Sequence, residues 1–154
     1  MSSTEKAMQR QLIEAETNYV LKAPCSRVFA YLSNPANDKI WQGSCVDAQL
    51  HAPQPAAGAE YSIKFSFLGR KMDFRARILE VQPESAYAFE VLDGPFYYKG
   101  QYRFEADGQH TRIHWHFAAE PGKFFGILPA SILRKVLVSQ IEKDFITLDR
   151  LLAA

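Results

Sequence analysis

The chain has 154 residues and a net charge of +1, which gives no overall pull toward nucleic acid or an anionic membrane. Its hydrophobic share of 47% and charged share of 23% suit one globular domain, expected to span 1–154, with 1–10 as a flexible or frayed N-terminal extension. No apolar run approaches the roughly 20 residues of a membrane span, the polar start lacks a signal-peptide core, and Cys25 and Cys45 form neither a disulfide framework nor a zinc spacing, so the expected location is cytoplasmic.

Ser2 and Glu5 have the spacing of a capping box in the polar N-terminal stretch. Ile13 to Lys22 alternates, with Ala15, Thr17, Tyr19 and Leu21 on one face, and predicts a first strand. Pro24 breaks it and suits the first turn of a helix that carries Val28, Phe29 and Leu32 at core spacing. Asn34-Pro35 ends that helix, and a second short one leads to Trp41. Ser44 to Ala52 reads as a strand with Val46, Ala48 and Leu50 in phase. The stretch from Pro53 to Gly58 is a loop, too short to link domains.

From Ala59 five strands follow, broken by turn signals at Gly69, Pro83-Glu84, Asp93-Gly94-Pro95 and Asp107-Gly108. Around Gly69 a type II′ turn with glycine first would set Phe67 opposite Met72, Phe65 opposite Phe74, Ile63 opposite Ala76 and Tyr61 opposite Ile78. Lys64 would then face Arg75. Asp107-Gly108 reads as a type I′ turn that sets Phe104 opposite Thr111, Tyr102 opposite Ile113, Gly100 opposite Trp115 and Tyr98 opposite Phe117. Alternation of this kind means a sheet with one wet face and one buried face. After Glu120-Pro121-Gly122 the period changes. Pro129 opens a long helix with Leu133, Val136, Leu137, Ile141, Phe145, Leu148 and Leu151 at three- and four-residue steps. Its apolar stripe has one natural partner, the apolar face of the sheet.

The order is strand, two short helices, six strands, long helix. Ala23-Pro24 with Val28-Phe29 and Leu32, then Asn34-Pro35 and Trp41, resembles the opening of the START-like (SRPBCC) superfamily. Gly58 ahead of a strand, Ile78-x-Glu80 before Pro83 and the helical C-terminus resemble its polyketide cyclase/dehydrase-like branch. The resemblance implies an α+β helix-grip fold, a curved antiparallel sheet of about seven strands wrapped around the C-terminal helix. It also implies a cavity between sheet and helix, lined by Ile63, Phe65, Phe67, Phe74, Ala76, Tyr87, Phe89, Tyr98, Tyr102, Trp115, Leu137 and Ile141. Gly100 and Ala76 would leave room between the rings.

An apolar pocket needs a few polar groups to orient its ligand. Inward parity supplies the hydroxyls of Tyr19, Tyr61, Tyr87, Tyr98, Tyr102 and Thr111. Glu80 shares the parity of Ile78 but sits where a bulge would turn it out, and no inward His, Cys or Asp is evident beside it, so no catalytic constellation is expected. His110, His114 and His116 share one strand face, but it is the solvent face, and no metal or other cofactor is expected. Cys25 at a helix start could have a lowered pKa, yet without a base nearby it reads as structural. The wet face is mildly basic, with Lys64, Lys71, Arg75, Arg77, Lys99, Arg103 and Arg112 against Glu60, Asp73, Glu90 and Glu105.

The expected function is binding or transport of a hydrophobic small molecule (lipid, polyketide or isoprenoid-like) in the cavity, without catalysis. A cyclase/dehydratase-like enzyme is the first alternative, and an interaction module using the basic outer face is the second. Nucleic acid is not an expected partner. Membrane contact, if any, would be transient, since no integral segment is present.

Overall fold

The computed structural model describes residues 12–120 and 128–153. The N-terminal extension and the Pro121-Gly122 turn lie outside the described residues. Strand β1 (Ile13–Leu21) leads through α1 (Cys25–Leu32), a 3₁₀ turn (Pro35–Asn37) and α2 (Asp38–Trp41) to β2 (Cys45–Leu50). Then come β3 (Glu60–Phe67), β4 (Arg70–Gln82), β5 (Ala86–Asp93), β6 (Tyr98–Asp107) and β7 (His110–Ala119), and α3 (Ala130–Leu152) closes the chain. The strands form a single antiparallel sheet in the order β1-β7-β6-β5-β4-β3-β2.

The start of α1 follows from Pro24, which has no N–H to continue the β1 ladder and whose carbonyl accepts the first helical amides, Arg27 N at 3.0 Å and Val28 N at 3.1 Å. Val28, Phe29 and Leu32 are buried, as their spacing predicts. Asn34 caps the 3₁₀ turn by accepting from Ala36 N at 3.1 Å. One buried face of the sheet meets α3, whose Phe145 stacks on Tyr19 of β1 and on Trp41 of α2.

The alternation holds, but both hairpin registers differ from the expected ones by two residues. Phe67 pairs with Arg70, so Phe65 faces Met72, Ile63 faces Phe74 and Tyr61 faces Ala76. The turn is Leu68-Gly69, with φ of 52° and 79°, the pattern of a type I′ turn. Electrostatics favours this register: Lys64 now faces Asp73, with N···O at 3.8 Å, in place of Arg75. In the second hairpin Asp107 pairs with His110, which sets Tyr102 opposite Trp115 and Gly100 opposite Phe117. There Gly108 alone has positive φ, 62°, as a type II′ turn requires. The two turns exchange their expected types. Because each shift is by two, no side chain changes face.

Two smaller corrections and one expected bulge have local causes. A bulge between Cys45 and Asp47 buries Cys45 and Ala48 and leaves Val46 51% exposed, out of the expected phase. A second bulge after Ile78 keeps Ile78 inside but turns Leu79 and Glu80 outward. At the end of α3 it is Leu152, at 5% exposure, that is buried, while Leu151 is 40% exposed.

Leu68 is a non-glycine residue in left-handed backbone, a conformation that costs an L-residue about 1–2 kcal/mol and that Asn tolerates better. Leu68→Asn is therefore expected to stabilise the fold by about 0.5–1 kcal/mol. Its side chain is exposed, so nothing is lost from the core. Urea titration checks this, and a destabilised variant would contradict the type I′ assignment.

Candidate functional site

Between the sheet and α3 lies a cavity of about 130 Å³, open on one side to the surface. Its walls are mostly rings. Tyr98 of β6 is the hub, with ring centroids 5.0 Å from Phe74, 6.4 Å from Phe65, 6.1 Å from Phe89 and 5.4 Å from Phe117. Phe74 also meets Phe65 at 6.0 Å and Phe96 at 5.1 Å. Offset and edge-to-face contacts of this kind fix ring positions as well as bury area. Trp115 stacks on Phe117 at 5.7 Å. Leu133, Leu137 and Ile141 of α3 supply the opposite wall.

Of the expected lining residues, Ile63, Phe65, Phe67, Phe74, Tyr87, Phe89, Tyr98, Tyr102, Trp115, Leu137 and Ile141 all border this space. Ala76 is fully buried beside Tyr61 and Val91 but does not border it. Gly100 leaves no room either. The ring of Phe89 lies directly over it, where any Cβ would sit, so the glycine seats an aromatic wall residue instead of widening the cavity.

The unexpected part of the site is polar. Asp38, Trp41, Gln42 and Ser44 line the cavity from the α2 side, and Gln140 and Asp144 line it from α3. Asp38 is 7% exposed, and burial raises its carboxyl pKa well above the ordinary carboxylate value, a rise that the neighbouring Trp41 indole only partly offsets. That indole N–H is itself buried and makes no hydrogen bond of regular geometry. Tyr61, Tyr87, Tyr98 and Tyr102 lie within electrostatic range of Asp38, and burial first, then the charge of Asp38 or of each other, pushes all four phenols up. All four therefore remain neutral. Cys45 behaves alike, pushed up to about 12 by burial and then by Asp38. Asp144 is also raised by burial, but less freely, because Oδ1 accepts from Gly43 N at 2.9 Å and Gln140 Nε2 at 3.0 Å.

Asp38 and Asp144 overturn the expectation that no inward acid is present. One signal was available for each. Asp38 stands one helical turn before the buried Trp41, and Asp144 stands three residues after Ile141 and four before Leu148 on the apolar stripe of α3. Tyr19 and Thr111 do not border the cavity. Thr111 Oγ1 donates to Ala23 O at 2.7 Å and serves the fold.

The rival sites resolve into structure. Glu80 faces outward and accepts from Gln82 Nε2 at 3.3 Å. His114 pairs with Asn18 at 2.8 Å and His116 with Glu14 at 3.1 Å, on the outer face of β1 and β7. No group of potential metal ligands converges among the described residues. Cys25 donates to Glu84 O at 3.4 Å, and burial raises its pKa, opposite to activation. On the outer sheet face Arg77 meets Glu90 at 2.7 Å, Arg75 meets Glu60 at 3.6 Å and Arg112 meets Asp107 at 3.4 Å, which offsets much of its basic character. No described helix is long and apolar enough to cross a membrane.

Comparison with known proteins places this geometry. Residues 13–153 match the family described as polyketide cyclase / dehydrase and lipid transport. No curated protein matches the chain by sequence. Among solved structures, one from Thermus thermophilus is 20% identical, with a TM-score of 0.76 over 89% of this chain and 94% of its own. A START superfamily protein from Mycobacterium smegmatis is 11% identical, with a TM-score of 0.77 over 91% and 97%. The Zhui aromatase/cyclase of a Streptomyces strain is 14% identical, with a TM-score of 0.66 over 89% and 88%. At these identities the likeness establishes the helix-grip fold.

Proposed function

Because the chain belongs to the polyketide cyclase / dehydrase and lipid transport family, we propose that its cavity binds a hydrophobic small molecule (lipid, polyketide or isoprenoid-like) and carries or presents it unchanged. The observation that carries this reading is the cavity itself. A chain with this many rings on its inner sheet face leaves about 130 Å³ unfilled and open to the surface, although dense packing is the rule for protein interiors. No Lys, Arg or His is among its described lining residues. Binding would draw on apolar area removed from water, at about 25 cal/mol per Å².

The test is displacement of an apolar fluorescent dye from the folded protein, together with mass spectrometry of small molecules released after gentle purification. Leu137 borders the cavity from α3 and is only partly buried, so Leu137→Trp is expected to fill the space and weaken dye binding by about tenfold or more. A folded protein that ignores a broad apolar library would remove the reading. The buried acid Asp38 favours a second reading, a cyclase/dehydratase-like enzyme. Covalent change of a polyketide-like molecule by the wild-type protein, lost in Asp38→Asn, would put that reading first.

A further inference from the structure

The cavity is not uniformly apolar, and its polar groups gather on one side. Asp38 and Trp41 stand one turn apart on α2, and both border the space. Across from them the hydroxyls of Tyr61 on β3, Tyr87 on β5, and Tyr98 and Tyr102 on β6 lie within electrostatic range of the Asp38 carboxyl. Gln42, Ser44, Gln140 and Asp144 also border the space, and most of the remaining lining is Phe, Leu, Ile and Met side chains. The four phenol hydroxyls, the Asp38 carboxyl and the Trp41 indole thus share a pocket sized for a ring.

The chemistry of this cluster is that of donors. An indole N–H donates and cannot accept, and Trp41 Nε1, beside the Asp38 carboxyl, makes no hydrogen bond of regular geometry. A phenol donates through O–H. A carboxyl held protonated by burial also donates, and burial holds Asp38 well above its ordinary value. The buried indole N–H is the member short of a well-placed acceptor, and leaving a buried donor unmatched is costly. The cavity volume, about 130 Å³, is close to the roughly 150 Å³ of an apolar cavity that holds benzene. One ring fits inside, with further carbons toward the open side.

Resting on the cavity-binding reading, we propose that the α2 side of the cavity is a donor subsite for the carbonyl oxygen of an apolar ring ketone, formed by the Asp38 carboxyl, the Trp41 indole N–H and the tyrosine hydroxyls beside them. A ketone oxygen has two lone pairs and can take two of these donors, while its hydrocarbon body contacts Phe74, Phe89 and Ile141. A cationic amine is the competing match for an aspartate. It would require both ions to leave water in a ring-walled space, and Asp144, the second acid on the lining, already accepts from Gly43 N and Gln140 Nε2.

Three probes of nearly equal shape decide the matter: tetralin, 1-tetralone and 1-aminotetralin. Affinities are measured by calorimetry on wild type, Asp38→Asn and Asp38→Leu. The readout is the ratio of 1-tetralone to tetralin affinity, which cancels the different cost of taking each probe from water. Asp38→Leu is expected to lower that ratio about tenfold, the value of one good hydrogen bond. Asp38→Asn keeps an N–H donor and is expected to stay within about threefold of wild type. Tetralin itself should bind Asp38→Leu at least as well as wild type.

A ratio unchanged by Asp38→Leu, with tetralin still bound, would overturn the subsite and leave the cavity reading intact. Tighter binding of 1-aminotetralin than of 1-tetralone to wild type would overturn it in favour of an ionised Asp38. If wild type binds none of the three, the subsite and the cavity reading fall together. Should Asp38→Leu not fold, Asp38→Ala with the same ratio takes its place.

Discussion

Phe145→Ala is expected to destabilise the protein by about 3–5 kcal/mol, the range for deleting a buried ring. Phe145 is completely buried, and its ring meets three elements at once. It stacks on Tyr19 of β1 at 5.3 Å and on Trp41 of α2 at 6.1 Å, and it meets Tyr102 of β6 edge-on at 6.4 Å. Removing it deletes the transfer energy of the ring, opens a void and takes away the ring on which Trp41 stacks. Ile146, the next residue, is 43% exposed, so Ile146→Ala should cost less than about 0.5 kcal/mol. Denaturant midpoints of the two variants check the contrast. Equal midpoints would mean that α3 is rotated from the position described.

The second large effect concerns pH. The folded state holds on Asp38 a proton that the unfolded chain releases above about pH 4. The unfolded state then binds fewer protons than the folded one, so stability falls with rising pH from the unfolded pKa up to the raised folded pKa. Above that value the penalty is constant. Asp38→Asn removes it, and the variant's advantage over wild type should grow by up to about 1.4 kcal/mol per pH unit within this window. Neighbours do not reverse the sign. Tyr61, Tyr87, Tyr98 and Tyr102 are pushed up and stay neutral, as does Cys45 of β2 at about 12. Asp144 on α3 shifts upward too, but it is present in both proteins and cancels in the difference. Lys39 is half exposed and pairs with Asp47 at 3.6 Å. The measurement is urea unfolding of both proteins from pH 4 to 8. A gap that stays flat across that range would show that Asp38 is ionised and solvated in the folded state.

How far the sequence reached depends on which physical rule each residue obeys. Side-chain parity follows from the pleat alone, so the inner face from Ile63 to Trp115 was legible without knowing the register. Register depends on turn geometry, and Gly69 and Gly108 each admit two placements of a two-residue turn. In the first hairpin the like-charge pair of Lys64 and Arg75 weighs against the placement with glycine first. Bulges are invisible to a period-2 pattern, so alternation puts Val46 inside where the fold buries Cys45. The polar side of the cavity escaped for a different reason. Acidic residues are normally read as solvated, and α2 is too short to display a period. The rings that share the cavity with Asp38 come from three strands distant from it in sequence, so its burial exists only in the folded chain.

The order of the sheet has a consequence for how the molecule is assembled. Every neighbouring pair of strands is consecutive in the chain except β1 with β7. Hairpins with two-residue loops close in microseconds, so β3 to β7 can zip as a series of local events. Joining Leu21 to Thr111 closes a loop of about 90 residues, at an entropic cost on the order of 4 kcal/mol before any contact repays it. That joining brings Tyr19 against Phe145, so β1 and α3 are expected to dock in one concerted step. Folding speed is then set by this single long-range event, and until it occurs the ring-lined wall stands exposed as an open surface.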